Sequence, residues 1–216
     1  MEYKGQLLQD KFIDEVFKQK KRGTYLDIGA HNGKDLSNTF FLEYERDWVG
    51  VLIEPMEEEF ERLKACRGRQ NWFFNTAVSD YTGETTFRKI VGGNDGLNMI
   101  CGLVENLHPK HEQRIKDEAY SGCGEIVDIK VPVRTLQSIL DECGMYRFDF
   151  CSLDVEGSEL PILKSIDWGR TDISIFIIEN NYGVEAEITP YLLEKNYIRW
   201  GFLGWDVVYR KKDLIL

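Results

Sequence analysis

Three places in this 216-residue chain put acidic side chains where an apolar run stops. The first is Asp27-Ile28-Gly29-Ala30-His31-Asn32-Gly33, closing the run 24–30. Gly29 and Gly33 permit a tight turn and a close backbone approach to a ligand. A dinucleotide fingerprint needs another glycine where His31 stands, and an acid ahead of the turn repels phosphate. Asp27 suits a ligand with a cationic end instead. The second acid is Glu54, followed by Pro55, at the end of the run 48–54 and 21 residues past Gly33. An acid so placed accepts hydrogen bonds from two ribose hydroxyls. The third place is Leu153-Asp154-Val155-Glu156-Gly157-Ser158-Glu159, three carboxylates in six residues around a glycine turn. Such a group repels itself unless a cation or a shared proton sits within it.

Each place also has a plainer reading: a tight β-α turn, a strand-terminal surface acid, and a Ser158-Glu159 pair that only opens a helix. Taken together they describe a pocket for a nucleoside with a positively charged tail, and S-adenosylmethionine has both parts. A carboxylate near its sulfonium can act as general base on an acceptor hydroxyl. Glu156 is the first candidate for that base, Asp154 the second and His31 the third. His31 titrates near neutrality, although it can equally serve only to complete its turn. Glu179 and Asn180, at the end of the run 173–180, are expected to touch the substrate. Two acids beside the acceptor can also hold magnesium through oxygen ligands, an option that is not favoured. Cys101, His108, His111 and Cys123 form the one zinc-like constellation, but structural zinc sites use tighter cysteine spacing; no metal is expected.

Acids at these positions act together only if a β-α alternation brings strand ends to one edge. The helical stripe over 7–20 is followed by strands at 24–30 and 48–54 and helices at 37–44 and 56–67. A third core strand is expected over 71–78, an extended segment over 85–91, and a strand over 126–133 followed by a helix over 135–143. Residues 148–157 and 173–180 read as the next buried strands, with a helix after 157 carrying Pro161 in its first turn. A helix through 191–195 precedes a closing antiparallel pair, 197–205 and 207–212. This alternation predicts an α/β, doubly wound, mostly parallel sheet with helices on both faces. Residues 92–125, glycine-rich at both ends around an expected helix over 105–119, read as an insertion covering the substrate.

The whole chain, 1–216, reads as one domain, with an N-terminal helix inside residues 1–22. It carries 27 Lys and Arg against 37 Asp and Glu, a net charge of −10, which disfavours nucleic acid as a partner. The excess is local, because residues 141–187 hold 11 acids and 3 bases. A neutral acceptor suits those strand ends better than an anionic one. Five scattered cysteines without a C-x-x-C pair read as reduced thiols. With neither an apolar signal core nor a membrane-length apolar run, the expectation is a cytoplasmic protein with no membrane partner.

The motifs YLDIGAHNGKDL, VLIEP, TAVSDYTGETTF and LDVEGSELPIL, in this order and spacing, resemble the FkbM-type methyltransferases, a branch of the class I S-adenosylmethionine-dependent fold. The similarity runs from about Gly23 to Glu179, and LDVEGSE is its most specific part. The resemblance implies a seven-stranded, Rossmann-like sheet with an antiparallel C-terminal strand, S-adenosylmethionine as cofactor, and O-methylation of a small molecule or sugar. It implies that Asp27, Gly29 and Gly33 line the methionine end and that Glu54 takes the ribose. Ser79 or Asp80 approaches the adenine, and Asp154 and Glu156 face the reaction centre. Ala30, Asn32 and Pro55 fall in the same cofactor segments. Residues 92–125 match the family least. Competing readings are a nitrogen, carboxylate, RNA or protein acceptor, or a binding module without catalysis. A domain of a larger glycan-modifying enzyme is a further expectation.

Overall fold

The computed structural model describes residues 1–93 and 96–215. After helix α1 (Gln9–Val16) the chain forms strand β1 (Thr24–Ile28), helix α2 (Phe40–Arg46), strand β2 (Val49–Ile53) and helix α3 (Glu57–Cys66). Strands β3 (Trp72–Phe74), β4 (Ala77–Ser79), β5 (Gly83–Val91) and the short β6 (Gly102–Leu103) follow, then helix α4 (Pro109–Ser121). The second half runs β7 (Glu125–Thr135), α5 (Leu136–Cys143), β8 (Arg147–Leu153), α6 (Glu159–Lys164), β9 (Asp172–Ile178), α7 (Glu185–Glu194), β10 (Tyr197–Leu203) and β11 (Asp206–Lys211).

Seven strands form the central sheet in the order β10-β11-β9-β8-β1-β2-β3. β11 runs antiparallel to both of its neighbours, and the other pairings are parallel. The two strands that leave β1 in opposite directions, β2 and β8, make the topological switch point where open α/β sheets bind ligands. Both faces are covered, as the apolar runs require. On one face Ile13, Phe41, Leu42 and Leu63 from α1–α3 pack with Tyr25, Leu52 and Phe150. On the other, Leu136, Ile162, Leu163 and Leu192 from α5–α7 pack with Leu26, Ile28 and Phe176. Each such side chain contributes about 1.5–3 kcal/mol when fully buried.

Residues 71–78, expected as one core strand, divide between two sheets: β3 pairs with β2, whereas β4 pairs with β7. The break falls at Asn75, whose Nδ2 donates to the carbonyls of Glu54 and Pro55, and at Thr76, whose hydroxyl donates to the Pro132 carbonyl. The second sheet, β4-β7-β5-β6, was not foreseen. Its core is the long antiparallel pair of β5 and β7, with Gly83 opposite Val133 and Val91 opposite Glu125. The segment 92–124 joins these two strands and carries β6 and α4. Its helix begins at Pro109 rather than at 105, because His108 caps it by accepting from the Lys110 amide and proline suits the first helical position. The N-terminal helix is likewise shorter than the stripe over 7–20.

Candidate functional site

A cavity of about 350 Å³ opens at the switch point. The ends of β1, β2, β8 and β9 supply its floor through Asp27, Glu54, Asp154 and Glu179, and Glu156 follows from the loop after β8. Gly29 holds two of these ends together. Its φ of +86° is left-handed, and a Cβ there would lie 1.9 Å from the Asp154 carbonyl oxygen. The close approach is bonded, since the Asp154 amide donates to the Ile28 carbonyl at 3.1 Å.

Asp27 is buried, and its Oδ2 accepts from the Thr39 hydroxyl at 2.5 Å. Thr39 in turn accepts from Arg67 Nη2 at 2.8 Å. Burial raises the Asp27 carboxyl, with the Arg67 charge pulling the other way. Glu54 spends one oxygen on the His31 amide and the other on the Met56 amide, each at 2.8 Å. Burial pushes it up to about 7 in spite of those donors. Both acids therefore wait in a desolvated wall for partners that stabilise the charged form.

Asp154, Glu156 and Glu179 bring carboxylate oxygens within 4.8 Å of one another. Asp154 is open to the cavity yet lies deep among protein atoms, and desolvation with the Glu156 charge pushes it up to about 6. Burial and the charges of Asp154 and Glu156 raise Glu179 well above the ordinary glutamate value. Asn181 Nδ2 donates to Glu156 and to Glu179, and His111 Nδ1 stands 3.2 Å from Glu156 Oε2. These nitrogen groups face one oxygen of Glu156 and one of Glu179. Glu156 has a left-handed φ of 58°, a strained conformation for a non-glycine residue at a loop of this kind. Glu159 belongs to the scaffold, because its Oε1 accepts from the Gly157 amide at 3.1 Å.

Among the expected cofactor residues, Asp27, Gly29, Ala30, Glu54, Pro55 and Asp154 line the cavity. Five expected contacts lie outside its lining. Gly33 packs on α3, where a Cβ would meet Leu63 at 2.3 Å. Asn32 accepts from the Lys34 and Asp35 amides and so shapes its own turn. Ser79 is buried in β4 and Asp80 is exposed, while Thr76, Ala77 and Val78 face the cavity in their place. Asn180 accepts from the Glu185 amide at the start of α7, and its neighbour Asn181 lines the cavity instead. His31 lines the cavity beside Glu54, with Nε2 3.7 Å from Glu59. Among the described residues it makes no hydrogen bond or ion pair with Asp154, Glu156 or Glu179, which line the same cavity. The zinc-like constellation does not assemble: Cys123 is exposed, His108 stacks on Tyr182, and His111 bonds the Ile100 carbonyl.

The lining suits a charged nucleoside. Among the described residues both ring nitrogens of the cavity-lining His31 are buried without a hydrogen-bond partner, where ligand hydroxyls would find them. Asn38 Oδ1 is an unpaired buried acceptor, and Asn38 lines the cavity together with Asp27, as a cationic end requires.

A sheet of seven strands in this order, one reversed, with acids at the ends of the first two strands, defines a class I methyltransferase fold. The family model of the methyltransferase FkbM domain matches residues 27–199. The chain belongs to this family. The solved structure of methyltransferase FkbM from Methylobacillus flagellatus KT is similar in fold, with a TM-score of 0.52 at 16% identity over 88% of this chain and 43% of that one. A curated relative, the AMB antimetabolite synthetase AmbE of Pseudomonas aeruginosa, is 24% identical over 195 residues, which are 74% of this chain. The chain spans 8% of that synthetase's length. Among the described residues no helix is long and apolar enough to cross a membrane.

Proposed function

We propose that the protein transfers the methyl group of S-adenosylmethionine to a hydroxyl of a neutral small molecule or sugar. The observation that carries this reading is the sharing of one cavity by the cation-seeking pair Asp27 and Asn38, the ribose acid Glu54, and the carboxylates Asp154, Glu156 and Glu179. When bound, the cofactor supplies an activated methyl on a sulfonium, so the protein's share is orientation and proton removal. Holding an acceptor oxygen in line contributes roughly 7–11 kcal/mol in favourable cases. Glu156 receives the hydroxyl proton, for about 10²–10⁴-fold more rate. The insertion 92–125, whose Gly96–Leu103 part and α4 residues Arg114 and Glu118 line the cavity, covers the acceptor.

A neutral acceptor fits the acidic floor, and resemblance to a segment of a small-molecule synthetase supports the same substrate class. That resemblance also supports a domain working beside others in a larger enzyme. The free cysteines suit the reducing cytoplasm. Neither nucleic acid nor membrane is a partner in this reading. The test is thermal melting with S-adenosylhomocysteine against NAD. A rise with S-adenosylhomocysteine alone is expected, and a rise with NAD alone sinks the proposal. Glu156→Gln should keep that rise while methyl transfer to a panel of hydroxyl compounds is lost.

A further inference from the structure

His111 is fully buried at the contact between α4 and the β8–α6 loop, and its two nitrogens have unequal partners. Nε2 lies 2.9 Å from the Ile100 carbonyl oxygen. A carbonyl has no proton to give, so Nε2 carries one and donates it. In the neutral ring Nδ1 is then a lone pair, 3.2 Å from Glu156 Oε2 and 3.1 Å from the Tyr182 hydroxyl. A lone pair facing a bare carboxylate is repulsive, so the Nδ1–Oε2 contact holds a proton on one side or the other. Either placement leaves the pair with no net charge, which suits its place in a three-carboxylate cluster.

The insertion also seats the loop that bears Glu156. Asn106 Nδ2 donates to the Ser158 hydroxyl at 2.8 Å, and a Cβ on Gly157 would lie 2.4 Å from the Asn106 carbonyl. The left-handed backbone at Glu156 and Gly157 is thus held against the segment that delivers His111.

We propose that His111 is a positioning residue for Glu156 and takes up the proton that Glu156 gives away as it receives the acceptor's. The inference rests on the reading of Glu156 as proton acceptor in methyl transfer. As the acceptor oxygen bonds to the methyl carbon, the carbon–sulfur bond breaks and its electron pair stays on sulfur. The hydroxyl proton passes to Glu156 Oε1 while the Oε2 proton moves to His111 Nδ1. The product is an imidazolium whose Nε2–H remains on Ile100. The sulfonium charge disappears as the imidazolium charge appears, so the buried site keeps its net charge. Asp154 and Glu118 favour that imidazolium, while Arg114 and desolvation oppose it.

The test is ¹⁵N-histidine NMR on the whole protein, in which His111 is one of three histidines and is assigned through His111→Gln. In the unmutated protein the neutral ring should show a single tautomer, protonated at Nε2. Glu156→Gln should lower the His111 titration midpoint by about one unit or more. Tyr182→Phe should leave it within a few tenths. An Nδ1–H tautomer, a midpoint insensitive to Glu156→Gln, or a fall reproduced by Tyr182→Phe each overturns the inference. The tautomer needs no variant that must fold. Thermal shift with S-adenosylhomocysteine is read in parallel: if it fails while the dyad is present, the methyl-transfer reading and the proton route built on it fall, whereas a missing dyad with the shift intact overturns the inference alone.

Discussion

Gly29 is constrained by its neighbour before any ligand arrives. With φ at +86° and the Asp154 carbonyl 1.9 Å from where a Cβ would sit, Gly29→Ala must move one strand end. The backbone strain alone costs about 1–3 kcal/mol. Urea denaturation should show that loss, and calorimetry should show S-adenosylhomocysteine binding weakened at least tenfold, because Asp27 and Asp154 lose their spacing. Glu54 offers a second test. Its pKa of about 7 reflects burial, and ribose hydroxyls would add donors to its charged form. Binding should therefore expel a proton near pH 6.5 and tighten as pH rises from about 6 to 8. Calorimetry in buffers of different ionisation enthalpy measures this, and Glu54→Gln should abolish it. These acids were legible because each ends an apolar run. The choice between adjacent polar residues was not: Asn181 rather than Asn180, and Thr76 to Val78 rather than Ser79 and Asp80, face the cavity because of local bonds that spacing does not encode.

At the scale of elements, the parallel strands and their helices followed from apolar runs and caps, whereas the links among them did not. Arg67 shows what was hidden. In the sequence it is a base at the end of a helix, agreeable to the helix dipole. In the fold its guanidinium is buried and reaches four partners at once: Glu43 of α2 at 2.6 Å, the Gly33 carbonyl at 2.7 Å, Tyr25 of β1 at 2.9 Å and Thr39 at 2.8 Å. Through Thr39 it fixes the rotamer of Asp27. Arg67→Met leaves Glu43 and Asp27 buried without a cation, and a loss of about 3–5 kcal/mol is expected in urea titration. Arg67→Lys should recover little of it, since one ammonium cannot span the fork of contacts. Recovery by lysine to within about 1 kcal/mol would show that charge, not geometry, is what α3 contributes. The second sheet escaped notice for a related reason. β5 and β7 are separated by the insertion, so nothing in the local pattern announces that they pair.

For the whole molecule, the acidic excess of residues 141–187 raises the question of how a fold carries so many carboxylates near one cavity. Part of the answer is that burial raises buried carboxyls in and beyond that segment toward neutrality. Glu54 and Glu159 are pushed up to about 7, and Asp154 and Asp206 to about 6, in each case chiefly by burial. A folded carboxyl that ionises later than its unfolded counterpart makes the native state bind more protons over the interval between the two values. Stability then falls as pH rises through that interval. The lowered values of the buried His31 and His111 act in the opposite sense, but only below about pH 6.5, where their unfolded counterparts begin to titrate. Between pH 6.5 and 8 the histidines are therefore silent and the raised glutamates, Glu54, Glu159 and Glu179, set a slope of one sign. Glu54 and Glu159 should each remove about 1 kcal/mol over that range. The ligand-free protein should accordingly unfold at lower urea at pH 8 than at pH 6.5. Glu159→Gln, which keeps the shape of the group and removes its titration, should reduce the difference by about 1 kcal/mol. A midpoint that rises with pH would mean that these carboxylates are already ionised in the fold, and that the acidic cluster is balanced by bound cations rather than by its own protons.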